Sequence, residues 1–295
     1  MRIAIIGAAG QMGGWLVNHF KLQGHTLIVS DRQYSQSAVT VKSSDLILAS
    51  SNSAAVKQAD AVVVSVPIDQ TADVIREVGP HMKRDAVLCE ISSVKGDIPG
   101  VLKDVATYQV QPLCIHPMFG PGAKSLGGKV ILIPILDQGG EKDLVKVLFP
   151  SYRVVVTTAE QHDRVMALTI SLPYFTSMII ASILADEDLM MLKQLGGTSF
   201  AVQLVLTGSI MAQSPSLHSA LHRENEYVIG MLRKVQSRTE QGIACLDEGN
   251  GDDFEHFYSR IKSSLESNMN LEKKYEEMYR LLENMQWDEG LEVRL

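Results

Sequence analysis

Cysteine is scarce: Cys89, Cys114 and Cys245 are the three in a chain of 295 residues. They are isolated from one another, and two of them lie in apolar, strand-like runs. That spacing offers neither a disulfide framework nor a zinc site, and it predicts reduced thiols in a cytoplasmic protein. Positive charge is also short. A formal net charge of −7 and a pI near 5.6 argue against nucleic acid or an anionic membrane as partner. No basic segment followed by an apolar one opens the chain, so no secretory signal is expected. His218 and His222 share a helix face but lack a third ligand, so no metal is expected and both read as surface or interface residues. Repeats and low-complexity segments are absent. What remains, 45% apolar and 21% charged residues, is the composition of an ordinary globular protein long enough for two domains.

Formal charge is missing over residues 165–184 and again over 194–222. The first stretch is long enough to span a bilayer. It also holds Pro173, Tyr174, Thr169, Thr176, Ser171, Ser177 and Ser182, and the second carries Gln203, Gln213 and Pro215. Both read as buried helices of an α domain, ahead of membrane spans. Helices apolar on every side need burial on every side. A helical domain this small has little interior for two of them, which predicts a homodimer core.

Short β-branched runs alternate with helical patterns up to residue 157. Strands are predicted over residues 3–6, 27–30, 61–65, 87–91, 113–115, 130–134 and 154–157. They are nearly continuous apolar runs, as expected for a parallel sheet covered on both faces. Helices are predicted over 12–23, 70–78 and 141–148. This alternation predicts an α/β fold: a doubly wound Rossmann sheet over residues 1–157. From 158 to 295 only helical spacing recurs, as in Phe254, Phe257, Tyr258, Ile261 and Leu265, and in Leu271, Tyr275, Met278, Leu282 and Met285. A break is expected at Gly249-Asn250-Gly251-Asp252. An all-α domain for dimerisation and substrate binding is therefore predicted over 158–295.

The first strand runs into Gly7-Ala8-Ala9-Gly10-Gln11-Met12-Gly13. This is a variant of the dinucleotide pattern, with Ala8 where a glycine is usual. Gly7 and Gly10 permit a tight turn and close approach of backbone to a pyrophosphate. Gly13 permits close helix–strand packing, and the helix start adds a favourable dipole. Asp31, at the end of the second strand, is placed to accept ribose hydroxyls, which favours NAD. Arg32 beside it could instead support the 2′-phosphate of NADP. Ser65-Val66-Pro67 follows a later strand and closes the nucleotide site in such folds.

Two more segments end strands of the same sheet: Ser92-Ser93-Val94-Lys95-Gly96 and His116-Pro117-Met118-Phe119-Gly120-Pro121. A histidine beyond the carboxyl end of a strand, held by two prolines, is placed to face a nicotinamide as proton acceptor. Ser92 and Ser93 also fit as helix N-caps before Asp97. Together with the glycine loop and Glu160-Gln161-His162-Asp163-Arg164-Val165-Met166-Ala167, these segments resemble the prephenate/arogenate dehydrogenase family of tyrosine biosynthesis. The likeness covers nearly the whole chain, at the length of a stand-alone form without a fused mutase or regulatory domain.

The resemblance implies an NAD(P)-dependent oxidative decarboxylation of prephenate to 4-hydroxyphenylpyruvate, of arogenate to tyrosine, or of a related cyclohexadienyl acid such as an amino-substituted analogue. It makes His116 the proton acceptor, lets Ser93 orient the hydroxyl or the imidazole, and leaves Lys95 to assist electrostatically or to cap local structure. His162 and Asp163 match the family but could simply pack at a domain junction. Ser92, Tyr174, Ser209 and Arg223 fall on the substrate side. Here the chain departs from the pattern. The family carries an arginine ahead of Ile210-Met211-Ala212-Gln213, where this chain has Ser209, and often a histidine where it has Tyr174. Serine cannot replace a guanidinium fork at a carboxylate. Arg223 is the first candidate to compensate, ahead of Arg153 and Arg164. The departure keeps open an altered substrate, or a non-redox transferase or regulatory role on the same scaffold.

Overall fold

A computed structural model of the chain describes residues 1–34, 46–123, 128–247 and 251–283. They fall into two units. The first holds Met1–Met166 and Ser219–Glu226, the second Ala167–His218 and Tyr227–Leu295. The first unit is thus discontinuous in sequence.

In the first unit, β1 (Arg2–Ile6), β2 (Thr26–Ser30), β3 (Leu46–Leu48), β4 (Ala61–Val64), β5 (Val87–Glu90), β6 (Gln111–Pro117), β7 (Lys129–Ile133) and β8 (Arg153–Val156) form one eight-stranded sheet. Its order is β3-β2-β1-β4-β5-β6-β7-β8. Between the strands come α1 (Gln11–Leu22), α2 (Asn52–Val56), α3 (Thr71–Val78), α4 (Ile98–Val105) and α5 (Gln138–Leu148), and α6 (Ala159–Met166) follows β8.

Alternate strand residues face opposite sides of the sheet. Ile3, Ile5, Val63 and Leu113 pack with Leu16 and Phe20 of α1 and Val145 and Leu148 of α5. Ala4, Ile6, Val62 and Leu88 pack with Val56 of α2, Ile75 of α3 and Leu102 of α4. Burial on both faces explains why the strands read as unbroken apolar runs. The strand order reverses between β1 and β4, which opens a crevice at their carboxyl ends.

Two features differ from the sequence expectation. The strand Leu46–Leu48 is three residues long and too short to announce itself. The strand expected over 113–115 extends to Gln111–Pro117 and pairs antiparallel with β7, with His116 opposite Ile131. His116 is therefore a strand residue, not one beyond the strand end, and the sheet is mixed. The apolar run stops at Ile115, and so does its periodicity signal, but the ladder continues to a bond from the Met118 amide to the Lys129 carbonyl of 2.9 Å.

The described residues of the second unit are helical. A π-turn, Ala167–Ser171, leads into α7 (Leu172–Leu184). There Pro173 removes one helical hydrogen bond, and the wide turn accommodates the loss. Then come α8 (Leu189–Leu195), α9 (Thr198–Met211), α10 (Pro215–Arg223), α11 (Tyr227–Asp247), α12 (Gly251–Glu266) and α13 (Leu271–Glu283). Within this unit α7 packs on α9 and α11 on α12. Ala167, Val228 and Met231 form a small core. The expected break at 249–252 falls partly outside the described residues, as does Met285.

Full burial of the two uncharged stretches is not met within one chain. The helix Ala159–Leu184 is long and apolar enough to cross a membrane by length and composition, and only 17% of its most apolar window is buried. Met178, Ile179 and Ile183 of α7 and Val205 and Leu206 of α9 are exposed. The described residues leave these apolar faces uncovered.

Candidate active site

The loop after β1 is held by its own backbone. The amides of Gly7 and Ala8 both bond to the Ser30 carbonyl, and that of Gly10 bonds to the Gly7 carbonyl. Gly7 has φ +85°, and a Cβ there would lie 2.2 Å from the Ser65 carbonyl oxygen. A Cβ on Gly13 would meet the Gly7 oxygen at 2.1 Å. These two glycines are fixed by packing, which brings Ser65 and Val66 against the loop. Gly10 differs. A Cβ there would meet its nearest atom at 3.4 Å, an ordinary contact, and the residue is exposed. Among the described residues, nothing but the Gly7 oxygen approaches the space beside Gly10.

Gly10 also heads α1 without a side-chain cap, and no acidic residue occupies the first turn. Gln11 is exposed, while Met12 leans on the core. An uncapped helix start beside an open glycine fits an anionic phosphate group. Asp31 lies at the rim of the loop. One carboxylate oxygen accepts the Ala9 amide at 3.0 Å and the other the Gln33 amide at 2.9 Å. Arg32 donates to Gln70 at 2.7 Å, just beyond Pro67.

At the same carboxyl edge, β5 ends in Glu90, a residue with no exposure. One of its oxygens accepts the Lys95 ammonium at 2.6 Å and the Cys114 thiol at 2.9 Å. The other accepts the Ser92 amide at 2.9 Å and the Ser92 hydroxyl at 2.7 Å. Lys95 also donates to the Ile115 carbonyl at 2.6 Å. Burial works against the Lys95 charge, but the Cys114 sulfur and Glu90 carboxylate beside it more than offset this and hold its ammonium above the ordinary range. Burial pushes the Cys89 and Cys114 thiols up, so both are inert. Ser92 is thus committed to this knot and caps no helix, while Ser93 next to it is only half-buried.

His116 follows Ile115, whose carbonyl Lys95 holds, and is near enough to feel the Lys95 charge. Its Nδ1 is 2.9 Å from His162 Nε2, and His162 Nδ1 is 2.7 Å from Asp163 Oδ1. Asp163 further accepts the amides of Lys95 at 3.0 Å and Gly96 at 2.8 Å. The Asn225 side chain donates to the Asp163 carbonyl at 2.8 Å. Burial, then the Lys95 charge, then His162, depress the His116 pKa well below the ordinary histidine range, so the ring is neutral at pH 7. Burial raises the Asp163 pKa, but bonds from His162, Gly96 and Lys95 outweigh this and keep it a carboxylate. Among the described residues every fully enclosed side-chain nitrogen or oxygen has a partner. His116 Nε2 has none, so it faces the 5% of that residue's surface left open.

The hexapeptide is also anchored to α1. The Trp15 indole donates to the Ala123 carbonyl at 2.9 Å and lies 4.7 Å from the Phe119 ring. Phe119 stacks on Tyr152.

In the second unit the Gln213 amide donates to the Tyr174 hydroxyl at 3.0 Å, and Tyr174 packs against His218 at 5.2 Å. Ser209 is exposed and its hydroxyl turns back to the Leu206 carbonyl at 2.8 Å. Arg223 is exposed at the end of α10.

Two family models divide the chain between them. The nucleotide-binding domain of prephenate dehydrogenase matches residues 18–158, and the dimerization domain of prephenate dehydrogenase matches 158–260. The chain belongs to the prephenate dehydrogenase family. A "probable arogenate/prephenate dehydrogenase" of Methanocaldococcus jannaschii is 26% identical over 76% of this chain and 52% of its own length. A T-protein of Enterobacter agglomerans is 26% identical over 88% of this chain and 66% of its own length. The chain therefore spans half to two thirds of these relatives. A solved prephenate dehydrogenase from Aquifex aeolicus, in complex with hydroxyphenyl propionate and NAD⁺, has a TM-score of 0.69 at 18% identity, covering 90% of this chain and 98% of that one. At that identity the likeness shows the fold. The first family match begins beyond the glycine loop, so the loop rests on its own geometry.

Sequence reasoning only partly assembled the set of residues around Glu90 and His116, all of which belong to the first unit. Glu90 and Cys114 were not singled out as site residues, and neither was Asn225. His162 and Asp163 stood apart from His116 in sequence and join it in space. Glu90 did carry a signal: a glutamate ending an apolar strand, five residues before a lysine, is rarely buried unless paired.

Proposed function

We propose that the chain is an NAD-dependent dehydrogenase that oxidatively decarboxylates prephenate or arogenate, with NADP as the less favoured cofactor. The observation that carries this reading is the neutral His116, whose unpaired Nε2 sits at the same sheet edge as the uncapped start of α1. A bound NAD⁺ supplies the hydride acceptor. The chain does the rest. Gly7, Ala9, Gly10, Gln11, Met12 and Gly13 receive the pyrophosphate, and Ser65, Val66 and Pro67 line the far side. Asp31 takes the ribose hydroxyls, and Arg32 stands beside it. His116 Nε2 takes the proton of the substrate hydroxyl as hydride leaves the same carbon. The ring carboxylate then departs as CO₂, its bonding pair enters the ring, and the phenolate oxygen recovers the proton. Ser93 orients the hydroxyl. Lys95 acts from behind, as a positioning charge and not as a contact.

Residues 1–157 bind the dinucleotide in this reading, and 158–295 serve substrate and dimerisation. A second copy covers the exposed faces of α7 and α9, consistent with the dimerization model that matches them. Ser92 and Tyr174 support the substrate side. Ser209 brings no charge, so Arg223 is the cation proposed for a substrate carboxylate. Buried, unpaired Cys89 and Cys114 are compatible with a reducing, cytoplasmic setting, and no membrane or nucleic acid is invoked.

The test is NADH or NADPH formation by purified protein with prephenate and with arogenate, each with NAD⁺ and NADP⁺. Turnover that falls by about 10²–10⁴-fold in His116→Asn supports the reading. Dinucleotide binding without turnover points to a different substrate, marked by Ser209 and Tyr174. Loss of dinucleotide binding altogether favours a non-redox role.

A further inference from the structure

We infer that His162 and Asp163 are positioning residues that dictate which nitrogen of His116 carries the proton. The argument runs along the hydrogen bonds. An ionised Asp163 can only accept, so His162 Nδ1 must donate to it across 2.7 Å. With its ring proton committed to Asp163 at Nδ1, His162 turns its other nitrogen, Nε2, to His116 as the acceptor in the proposed chain. The 2.9 Å contact to His116 Nδ1 therefore requires the proton on that atom of His116. The proton acceptor of the reaction is left at Nε2, on the ring's open edge. Without this chain of bonds the imidazole would be free to hold its proton at Nε2, where it could take up none.

Asp163 has a second task. It binds the amides of Lys95 and Gly96 at 3.0 and 2.8 Å, and Gly96 has a positive φ of 43°. The carboxylate thereby pins the loop that carries Ser93. Asn225 holds the Asp163 carbonyl at 2.8 Å, fixing the base of the arrangement from a segment far along the chain. One carboxylate sets both the tautomer of the proton acceptor and the position of the serine proposed to orient the hydroxyl. This inference rests on the dehydrogenase reading for its kinetic consequence but not for its structural content.

The experiment pairs a spectrum with kinetics. Ring-nitrogen NMR on ¹⁵N-histidine-labelled protein at pH 7, with His116 assigned by its loss in His116→Asn, reads the tautomer directly. The expected result is a protonated Nδ1 and a bare Nε2 in the unsubstituted protein. In Asp163→Asn the amide can donate to His162 Nδ1, which reverses the chain and places the His116 proton on Nε2. The signals should exchange, and kcat should fall about 10²-fold or more with KM little changed. A bare Nδ1 in the unsubstituted protein overturns the inference whatever the variant does. So does an unchanged tautomer in folded Asp163→Asn, even if kcat falls. If the unsubstituted protein turns over neither prephenate nor arogenate, the dehydrogenase reading fails while the spectrum still decides the tautomer.

Discussion

Two polar networks share Lys95 at the ends of β5 and β6, and they are built to opposite rules. Around Glu90 the network is closed. Each carboxylate oxygen, the Lys95 ammonium and the Ser92 hydroxyl meet partners inside it, and the Glu90 and Lys95 side chains have no exposure. The line from Asp163 through His162 to His116 is open, because its last nitrogen has no partner among the described residues. A closed network has only stability to give, since a substrate can join it only by breaking it. An open one offers a single unsatisfied atom, held in place by everything behind it. The nucleotide loop repeats the contrast on a smaller scale: Gly7 and Gly13 are closed by neighbouring backbone, and Gly10 is open.

The largest test breaks the closed network. Lys95→Met removes a buried cation and leaves Glu90 without its counter-charge. A loss of about 3–5 kcal/mol in unfolding free energy is expected by urea titration, where removal of an exposed pair such as Arg76–Asp73 would cost under about 1 kcal/mol. A small loss from Lys95→Met would mean that the cluster is not sealed.

The next test sharpens the open network through pH. The folded pKa of His116 is depressed, so between the unfolded value near 6.5 and that lower folded value the unfolded chain binds the extra proton. Stability is complete above about pH 6.5 and declines as pH falls through that window, by at most about 1.4 kcal/mol per unit for one group. Asp163 is depressed too and adds a loss of the same sign at more acid pH. Melting temperatures of the unsubstituted protein and His116→Asn, followed from pH 7.5 to 5, should therefore converge. Parallel curves would show that His116 is not held neutral by its surroundings.

The mildest test separates the glycines. Gly10→Ala meets no clash and trims the freedom of the unfolded chain, so it should leave stability unchanged or raise it by up to about 1 kcal/mol. The added methyl occupies the approach proposed for the pyrophosphate, so dinucleotide affinity measured by calorimetry should fall about tenfold or more. Gly13→Ala should instead destabilise the fold. Equal affinity in Gly10→Ala would remove this loop from the binding surface.

The sheet and the glycine loop were the more legible parts of the molecule in the sequence. Continuous apolar strands and the spacing of Gly7, Gly10 and Gly13 announce a doubly wound sheet because burial on two faces leaves a periodic trace. The end of β6 was misjudged because hydrogen bonding carries that strand past the last apolar residue, through His116 and Pro117. The open network was legible only at its tip. His116 stands in a distinctive hexapeptide, but nothing in local spacing says that residue 162 will meet residue 116. Glu90 and Asn225 were missed for the same reason, since a pairing made by the fold leaves no periodic mark on the chain.

The first unit's discontinuity has a consequence for how the site comes into being. Strands β1 to β8 and helix α6 lie within Met1–Met166, yet the clamp on Asp163 comes from Asn225, in the returning segment Ser219–Glu226. During synthesis the chain must leave for the whole of Ala167–His218 before that last donor emerges. A nascent chain halted after α6 contains every strand and all of His116, His162 and Asp163, but lacks the Asn225 donor that holds the Asp163 carbonyl. The last brace on Asp163 is thus encoded late, after the helical detour has been made and the chain has come home.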